Sequence, residues 1–490
     1  MIDQLIIVIS DPWIILIAAW ATILGIVMGA LPGLTGPMAM SLLLSIAVYA
    51  MSVEGSVVAM MLIYLGGVYG GSLSAILLNV PGAPASAATA LDGHPLAKRG
   101  QAGRVIGAVT LASFFGSLVS VALMATLTPW LVDFSLKFTA YELLILILIG
   151  IVISGSLSTE EPIKGWIAGI LGLLIAMIGL DDINMHPRFS YDSSYLQAGI
   201  GLIAAVVGVF GISQVVEALR DRHPAYVPTA ALVSRVYPRL SDFKNRTILI
   251  FRSGVIGNLV GILPGLGADM GAWVSYDVAK RLSKRKDNYG KGEMEGVIAA
   301  ETGNNAVVPG SLIPVIALGL PGSAGAAIIM AGLFLHGLKP GPTFLIDNLD
   351  LFHYMVAGLL LGSFMMLIFG LIISNFVIYL LMIPRAIIMP VIVALGAMGA
   401  YASRLQFGDM IAMVVLGLIA YLGRRNGYPL APFILGIVLG KLLDEYLRNA
   451  TIISDGTLLP IVTRPISATL LVLLVFFIVY SLGLFTKRDR

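Results

Sequence analysis

The chain has 490 residues, a net charge of +3, 58% hydrophobic residues and 12% charged ones, where a soluble domain carries about 25% charged. That composition excludes an ordinary soluble enzyme, and without a basic stripe it leaves no footprint for nucleic acid. The absence of cysteine excludes disulfides, thiolate metal sites and cysteine nucleophiles.

Apolar runs of bilayer-spanning length recur from end to end, which predicts an all-α polytopic membrane protein. The short alternating segments of a transmembrane β-barrel are absent. Met1-Ile-Asp-Gln lacks a basic n-region and a cleavage site, so no removable signal peptide is expected. Pro12–Met51 leaves one side and returns to it, broken at Pro32-Gly33. Val57–Leu96 crosses, broken at Pro81-Gly82. Val105–Leu127, Tyr141–Leu157, Gly165–Leu180 and Leu196–Leu219 follow as single crossings. Thr247–Leu282 then repeats the first pair, with Pro264-Gly265 at its break. Val297–His336 repeats the second element, with Pro321-Gly322. Phe352–Met382, Ala386–Ser403, Met410–Leu422, Pro429–Leu447 and Ile466–Phe485 complete the chain.

Basic residues orient these segments. None precedes Lys98, and clusters stand at Lys98–Arg104, Arg220–Arg246, Lys280–Lys291, Arg424-Arg425 and Lys487–Arg490. By the positive-inside rule the clusters are cytoplasmic. The N-terminus is then outside and the C-terminus inside. Single basic residues (Lys137, Arg188, Lys339, Arg404, Arg448 and Arg464) fall on the predicted outside and weigh less than the clusters. On this path the first Leu-Pro-Gly-Leu enters from outside and the second from inside. The expected organisation is a first repeat over 1–219, a cytoplasmic basic linker over 220–246, and a second, inverted repeat over 247–463. A terminal helix with a basic tail occupies 464–490. Paired interruptions in inverted repeats are the sequence mark of a transporter binding site.

Proline removes a backbone donor, and glycine permits a reversal. One Pro-Gly break is ordinarily a kink; four, paired between halves, point to a site. Freed amides suit an anion and freed carbonyls a small cation such as Na⁺. Gly33, Thr35 and Gly36 at one tip, and Gly265, Gly267, Asp269 and Thr302 in the other half, are the coupling-ion candidates. Whether each tip closes a re-entrant hairpin or joins two full spans is open at this level. The substrate candidates are Ser72, Ser74, Asn79, Pro81 and Gly82, matched by Asn304, Asn305, Ser311, Pro321, Gly322 and Ser323. Their neutral side chains can bind carboxylates, and unpaired amides are costly in a bilayer. Glu301 and Asp269 are intramembrane carboxylates and candidates by type. Two other readings compete. An intramembrane aspartyl protease would need Asp269 and Asp277 as facing carboxylates, and an uncoupled anion channel or exporter could share the scaffold. No nucleotide-binding or zinc motif is present, so neither an enzyme nor a cofactor is expected beyond Na⁺ as coupling ion.

Gly29-Ala-Leu-Pro-Gly-Leu34, Tyr69-Gly-Gly-Ser72, Asn79-Val-Pro-Gly82, Leu91-Asp-Gly-His-Pro95, Gly261-Ile-Leu-Pro-Gly-Leu266 and Glu301-Thr-Gly-Asn-Asn305 through Leu320-Pro-Gly322 carry a resemblance to one family. The chain resembles the large membrane subunit of the tripartite tricarboxylate transporters, in the right order over nearly its whole length. The resemblance implies a bacterial inner-membrane protein that imports small organic anions such as citrate. It implies secondary uptake driven by Na⁺ or H⁺. It further implies two partners, a small four-helix membrane subunit and a periplasmic substrate-binding protein. The expected mechanism is elevator-like alternating access.

Overall fold

The computed structural model describes residues 2–31, 34–80, 82–158, 161–181, 184–220, 236–265, 267–376, 379 and 385–482. Gly33, Pro81, most of the basic linker and the basic tail lie outside the described residues. The described chain is almost wholly helical, and seven of its helices are long and apolar enough to cross a membrane. The protein is therefore an all-α polytopic membrane protein. Its β-structure among the described residues is one antiparallel pair, Gly179–Leu180 with Pro187–Arg188, which ends the predicted Gly165–Leu180 crossing early.

The N-terminal helix α1 (Ile2–Ser10) leads into α2 (Pro12–Ala30). Asp11 caps α2 by accepting from the Trp13 amide at 2.8 Å, and Pro12 occupies the first turn, where its missing N–H costs nothing. Helix α3 (Gly36–Ala50) follows, and then α4 (Val53–Leu78). Helix α4 is 26 residues long, about 39 Å, and buried along nearly its whole length. Helices α5 (Ala87–Leu96) and α6 (Ala102–Ser135) are joined through a π-helical turn with Gly100 left-handed. Helix α6 thus outruns its predicted span at both ends. Then come α7 (Ala140–Leu157), α8 (Pro162–Ala176), a short α9 (Ser194–Gln197), and α10 (Leu202–Val207), which runs through a π turn into α11 (Ser213–Arg220). Sequence reads 196–219 as one helix; the left-handed Gly199 (φ 73°) breaks it.

The second half begins with α12 (Thr247–Ile262), α13 (Gly267–Leu282), α14 (Met294–Leu318) and α15 (Ala324–Leu335). It continues through α16 (Phe344–Asp347), α17 (Leu349–Ser374), α18 (Arg385–Arg404), α19 (Phe407–Arg425) and α20 (Leu430–Ile453). The chain closes with α21 (Pro460–Thr463) and α22 (Pro465–Ser481), which packs on α7.

The two halves pack their glycines alike. Helix α2 lies so close to α4 that a Cβ on Gly29 would come 2.1 Å from the Gly67 carbonyl; on Gly257 of α12 it would come 2.2 Å from the Gly303 carbonyl of α14. Such backbone contact requires glycine. The order of contacts fixes direction. Residues 25 and 29 of α2 meet residues 63–67 of α4, so these helices run parallel, and Gly36 of α3 returns against Gly67. The α2–α3 pair is therefore a helical hairpin whose tip lies beside the Gly67–Gly70 stretch of α4. Helices α12 and α13 make the matching hairpin against α14, with Gly257 and Gly271 both meeting Gly303. Helices α4 and α14 cross antiparallel, since Asn305 reaches the Leu65 carbonyl (3.4 Å) and Ser72 reaches Glu301 (2.5 Å).

Candidate functional site

After each central helix the chain doubles back. Helix α4 ends on Asn79 in the left-handed conformation (φ 56°), and α14 ends on Gly319 (φ 67°). Two or three turns back, the Gly82 amide donates to the Gly71 carbonyl at 3.3 Å, and the Gly322 amide donates to the Ser311 carbonyl at the same distance. A Cβ on Gly82 would lie 2.3 Å from the Gly29 carbonyl, and on Gly322 2.0 Å from the Gly261 carbonyl. Gly82 and Gly322 thus lock under the hairpins of their own halves. New helices then start at the level of the tips: a 3-10 turn at Pro84–Ser86 leading into α5, and α15 after Ser323.

The consequence is one cavity of ≈ 420 Å³ between the four breaks, within the range of small-molecule sites. Thr35 and Gly36 at the first tip line it, as do Gly265, Gly267 and Asp269 at the second. Ala83–Ala85 and Ser323–Gly325 add the beginnings of the 3-10 turn and of α15, and Tyr64 and Gly67 contribute the middle of α4. Helices α3, α13 and α15 and the α5 segment all begin at this wall. The positive dipole ends of these helices favour an anion, each by about 0.3–1 kcal/mol and up to about 2 where water is excluded.

Side chains tie the wall together across the halves. The Tyr64 hydroxyl donates to Ser323 Oγ at 3.0 Å, and Ser323 Oγ accepts from the Ala326 amide at 3.0 Å. Gln214 of α11 donates to Thr35 Oγ1 at 3.2 Å. The Gly265 and Gly267 amides both point at the Gly322 carbonyl, at 3.0 and 3.4 Å. Asp269 opens onto the cavity and accepts from the Ala85 amide of the other half. Arg424, at the C-terminal end of α19, reaches the wall while paired with Glu217 at 2.6 Å.

The structure brings Thr35, Gly36, Gly265, Gly267, Asp269 and Ser323 to the cavity, with Pro321 and Gly322 forming the break beneath Ser323. It places Ser74 and Ser311 against the Gly82 and Gly322 turns, and Ser72, Thr302, Asn304 and Asn305 in the buried seam around α4 and α14. Asn79 caps the end of α4, where its backbone conformation explains its side-chain type. Tyr64, Gln214 and Arg424 are cavity residues that sequence reading misses, because they lie on uninterrupted helices with no local signal. Asp277 does not face Asp269. It sits eight residues along the same helix, about 12 Å, and pairs with Arg281 at 2.7 Å, so the two form no protease dyad.

A helical membrane protein with two facing helical hairpins and a cavity between them where several helices begin has the architecture of a secondary transporter. A family model described as the tripartite tricarboxylate transporter TctA family matches residues 15–435. The chain belongs to that family, which is one of transporters. It is 35% identical over 470 residues (96% of this chain, 93% of the relative) to an uncharacterized 52.8 kDa protein in the TAR-I ttuC' 3' region of Agrobacterium vitis. It is 36% identical over 236 residues (48% of this chain, 98% of the relative) to an uncharacterized protein in the TAR-II ttuC' 3' region of the same organism. No solved structure matches the chain.

Proposed function

We propose that this chain is the large transmembrane subunit of a binding-protein-dependent secondary transporter that imports small di- or tricarboxylates, driven by a cation gradient. The observation that carries this reading is the convergence of both hairpin tips and the two helix restarts on one cavity. The carboxylates of the substrate sit on the N-terminal amides of α3 and α15, with Thr35, Ser323 and Tyr64 as hydroxyl partners. Where Na⁺ is the coupling cation, Asp269 and the carbonyls of the second tip hold it. The antiparallel crossing of α4 and α14 and the charge of the loops support two repeats inverted across the membrane. The hairpins and central helices form the mobile unit of an elevator; α7, α8, α19, α20 and α22 form the scaffold. In this reading a small four-helix membrane subunit and a periplasmic binding protein complete the system in a bacterial inner membrane, with the N-terminus outside.

The test is uptake of radiolabelled citrate, tartrate and related carboxylates into membrane vesicles carrying the whole system, with and without Na⁺ and proton gradients. Saturable, gradient-driven accumulation of one or more of them is expected. Flux that never exceeds equilibration would favour an uncoupled channel and overturn the reading.

A further inference from the structure

The other buried carboxylates among the described residues are held by cations or amides. Glu142, Asp181, Asp242, Glu293 and Asp409 each pair with an arginine. Asp92 accepts from the Gly292 and Glu293 amides and from the Tyr276 hydroxyl. Glu301 is wholly buried in the first half of α14, and its hydrogen-bond partners are all hydroxyls. Ser72 of α4 lies at 2.5 Å, Ser113 of α6 at 3.1 Å, and Thr89 of α5 completes the set. Asn304, one turn on, turns its amide toward the same carboxylate without hydrogen-bond geometry. No lysine, arginine or histidine of α4, α5, α6, α12 or α13 pairs with it. Of the titratable groups around it, Tyr69 is engaged with Thr110 and Ser374, while Asp92 and Tyr276 bond each other more than a turn away along α14.

We propose that Glu301 binds and releases a proton as the coupling residue of this transporter, inside a cage of hydroxyls that serves both of its charge states. This rests on the transport reading above. A buried ionised carboxylate without a cation is costly, and hydroxyl donors offset only part of that cost. A cage of arginine or amides would hold one charge state alone, since such groups only donate. A hydroxyl both donates and accepts. With Glu301 ionised, the three hydroxyls donate to it. When a proton arrives from the outer solution, the carboxyl becomes a donor, and one hydroxyl turns to accept from it without movement of a heavy atom. Release to the inner solution restores the first state, so one proton is carried per cycle and no other reactant is needed.

Ser72 is the hydroxyl that links this switch to the cavity. Its Oγ also lies 3.2 Å from Ser86 Oγ, which ends the 3-10 turn whose Pro84 and Ala85 line the cavity. Ser72 has one proton. When it donates to ionised Glu301, it must accept from Ser86; when it accepts from protonated Glu301, it must donate to Ser86. Where Ser72 is the hydroxyl that turns, protonation reverses the Ser72–Ser86 bond and carries the charge state of the seam to the substrate wall.

The experiment compares wild type with Glu301→Gln in proteoliposomes of the whole system, in Na⁺-free buffer. The probe is radiolabelled citrate, or the carboxylate of the panel above that wild type accumulates. Wild-type uptake should rise several-fold with an inward proton gradient. The glutamine variant should lose that response while still exchanging internal for external carboxylate. Ser72→Ala removes a donor to the ionised form. It should therefore raise the midpoint of the pH profile by about one unit, the shift given by loss of one charge-assisted hydrogen bond. A proton response retained by Glu301→Gln overturns the proposal, as does a wild type driven by Na⁺ and indifferent to proton gradients. If the glutamine variant fails to fold, an unmoved Ser72→Ala midpoint overturns it equally. Absence of carboxylate exchange in wild type would instead overturn the transport reading itself.

Discussion

Asn79 and Gly319 hold the same backbone position at the ends of α4 and α14, and both are left-handed. Glycine adopts that conformation freely, and asparagine is among the few side chains that visit it. Asn79 read from sequence alone is a polar ligand stranded in the bilayer; in the structure it ends a helix and is exposed. The two roles separate by substitution. Asn79→Gly should keep expression and uptake near wild type, whereas Asn79→Ala should lower stability by about 1 kcal/mol through strain. Loss of uptake in a well-folded Asn79→Gly would return Asn79 to the list of ligands. The Pro-Gly glycines behave differently. Gly322→Ala drives a methyl group against the Gly261 carbonyl, and backbone cannot give way there as a flexible side chain would. We expect a loss of about 1–3 kcal/mol, seen as an earlier melting transition of the detergent-solubilised protein. An unchanged melting temperature would mean that the second hairpin is not locked as described.

At the scale of elements, the sequence made the breaks legible and left their partners hidden. Pro-Gly inside an apolar run is a local signal, and its repetition in the second half located all four breaks. The glycine spacing of α2 and α12 was visible as well, but not that it seats each hairpin on the middle of a longer helix. Hairpin or full span was undecidable because α2 is long enough to cross; its parallel contacts with α4 put its tip beside Gly67–Gly70, about 12 Å short of the end of that helix. The Gly199 break and the short Gly179–Arg188 pair were missed because each is two or three residues in a weakly apolar stretch. The cavity partners Tyr64 and Gln214 come from regular helices and depend on tertiary contact. Tyr64 is the most informative of them, since its hydroxyl joins the middle of α4 to the first residue before α15. Tyr64→Phe keeps the ring and removes that bond. It should raise KM for the carboxylate about tenfold, the effect of about 1.4 kcal/mol, with protein levels unchanged. An unaltered KM would place the substrate away from the start of α15.

Charge on the scale of the whole molecule explains why the loop rule and its exceptions coexist. Of the six basic residues on the predicted outside, Arg188, Lys339, Arg404, Arg448 and Arg464 each pair with a carboxylate. Burial, and then the hydrogen bond to Asp409, push the Tyr195 hydroxyl up, so it stays protonated and shares Asp409 with Arg404. These cations are neutralised locally and weigh little in orienting the chain. Lys441 is different: it is exposed in α20 and no carboxylate pairs with it among the described residues. It lines a second cavity of ≈ 400 Å³ together with Lys339 and Arg404. This cavity and the central one are built on the same helices. Gly201 and Leu202 line the one where Phe210 and Gln214 line the other, and Phe334 and Leu335 correspond likewise to Ser323 and Gly325. The positions along each helix put the second cavity about 15–20 Å from the first, toward the predicted outside. Lys339 is matched there by Glu445 and Arg404 by Asp409, which leaves the Lys441 ammonium to raise the local concentration of anions on the approach to the central site. Lys441→Glu should therefore raise KM for carboxylate uptake several-fold at low ionic strength, with the maximal rate little changed. The difference should shrink as salt shortens the Debye length to about 3 Å at 1 M. A KM that is unchanged at low salt, or a deficit that high salt does not relieve, would show that anions do not reach the central cavity past α20.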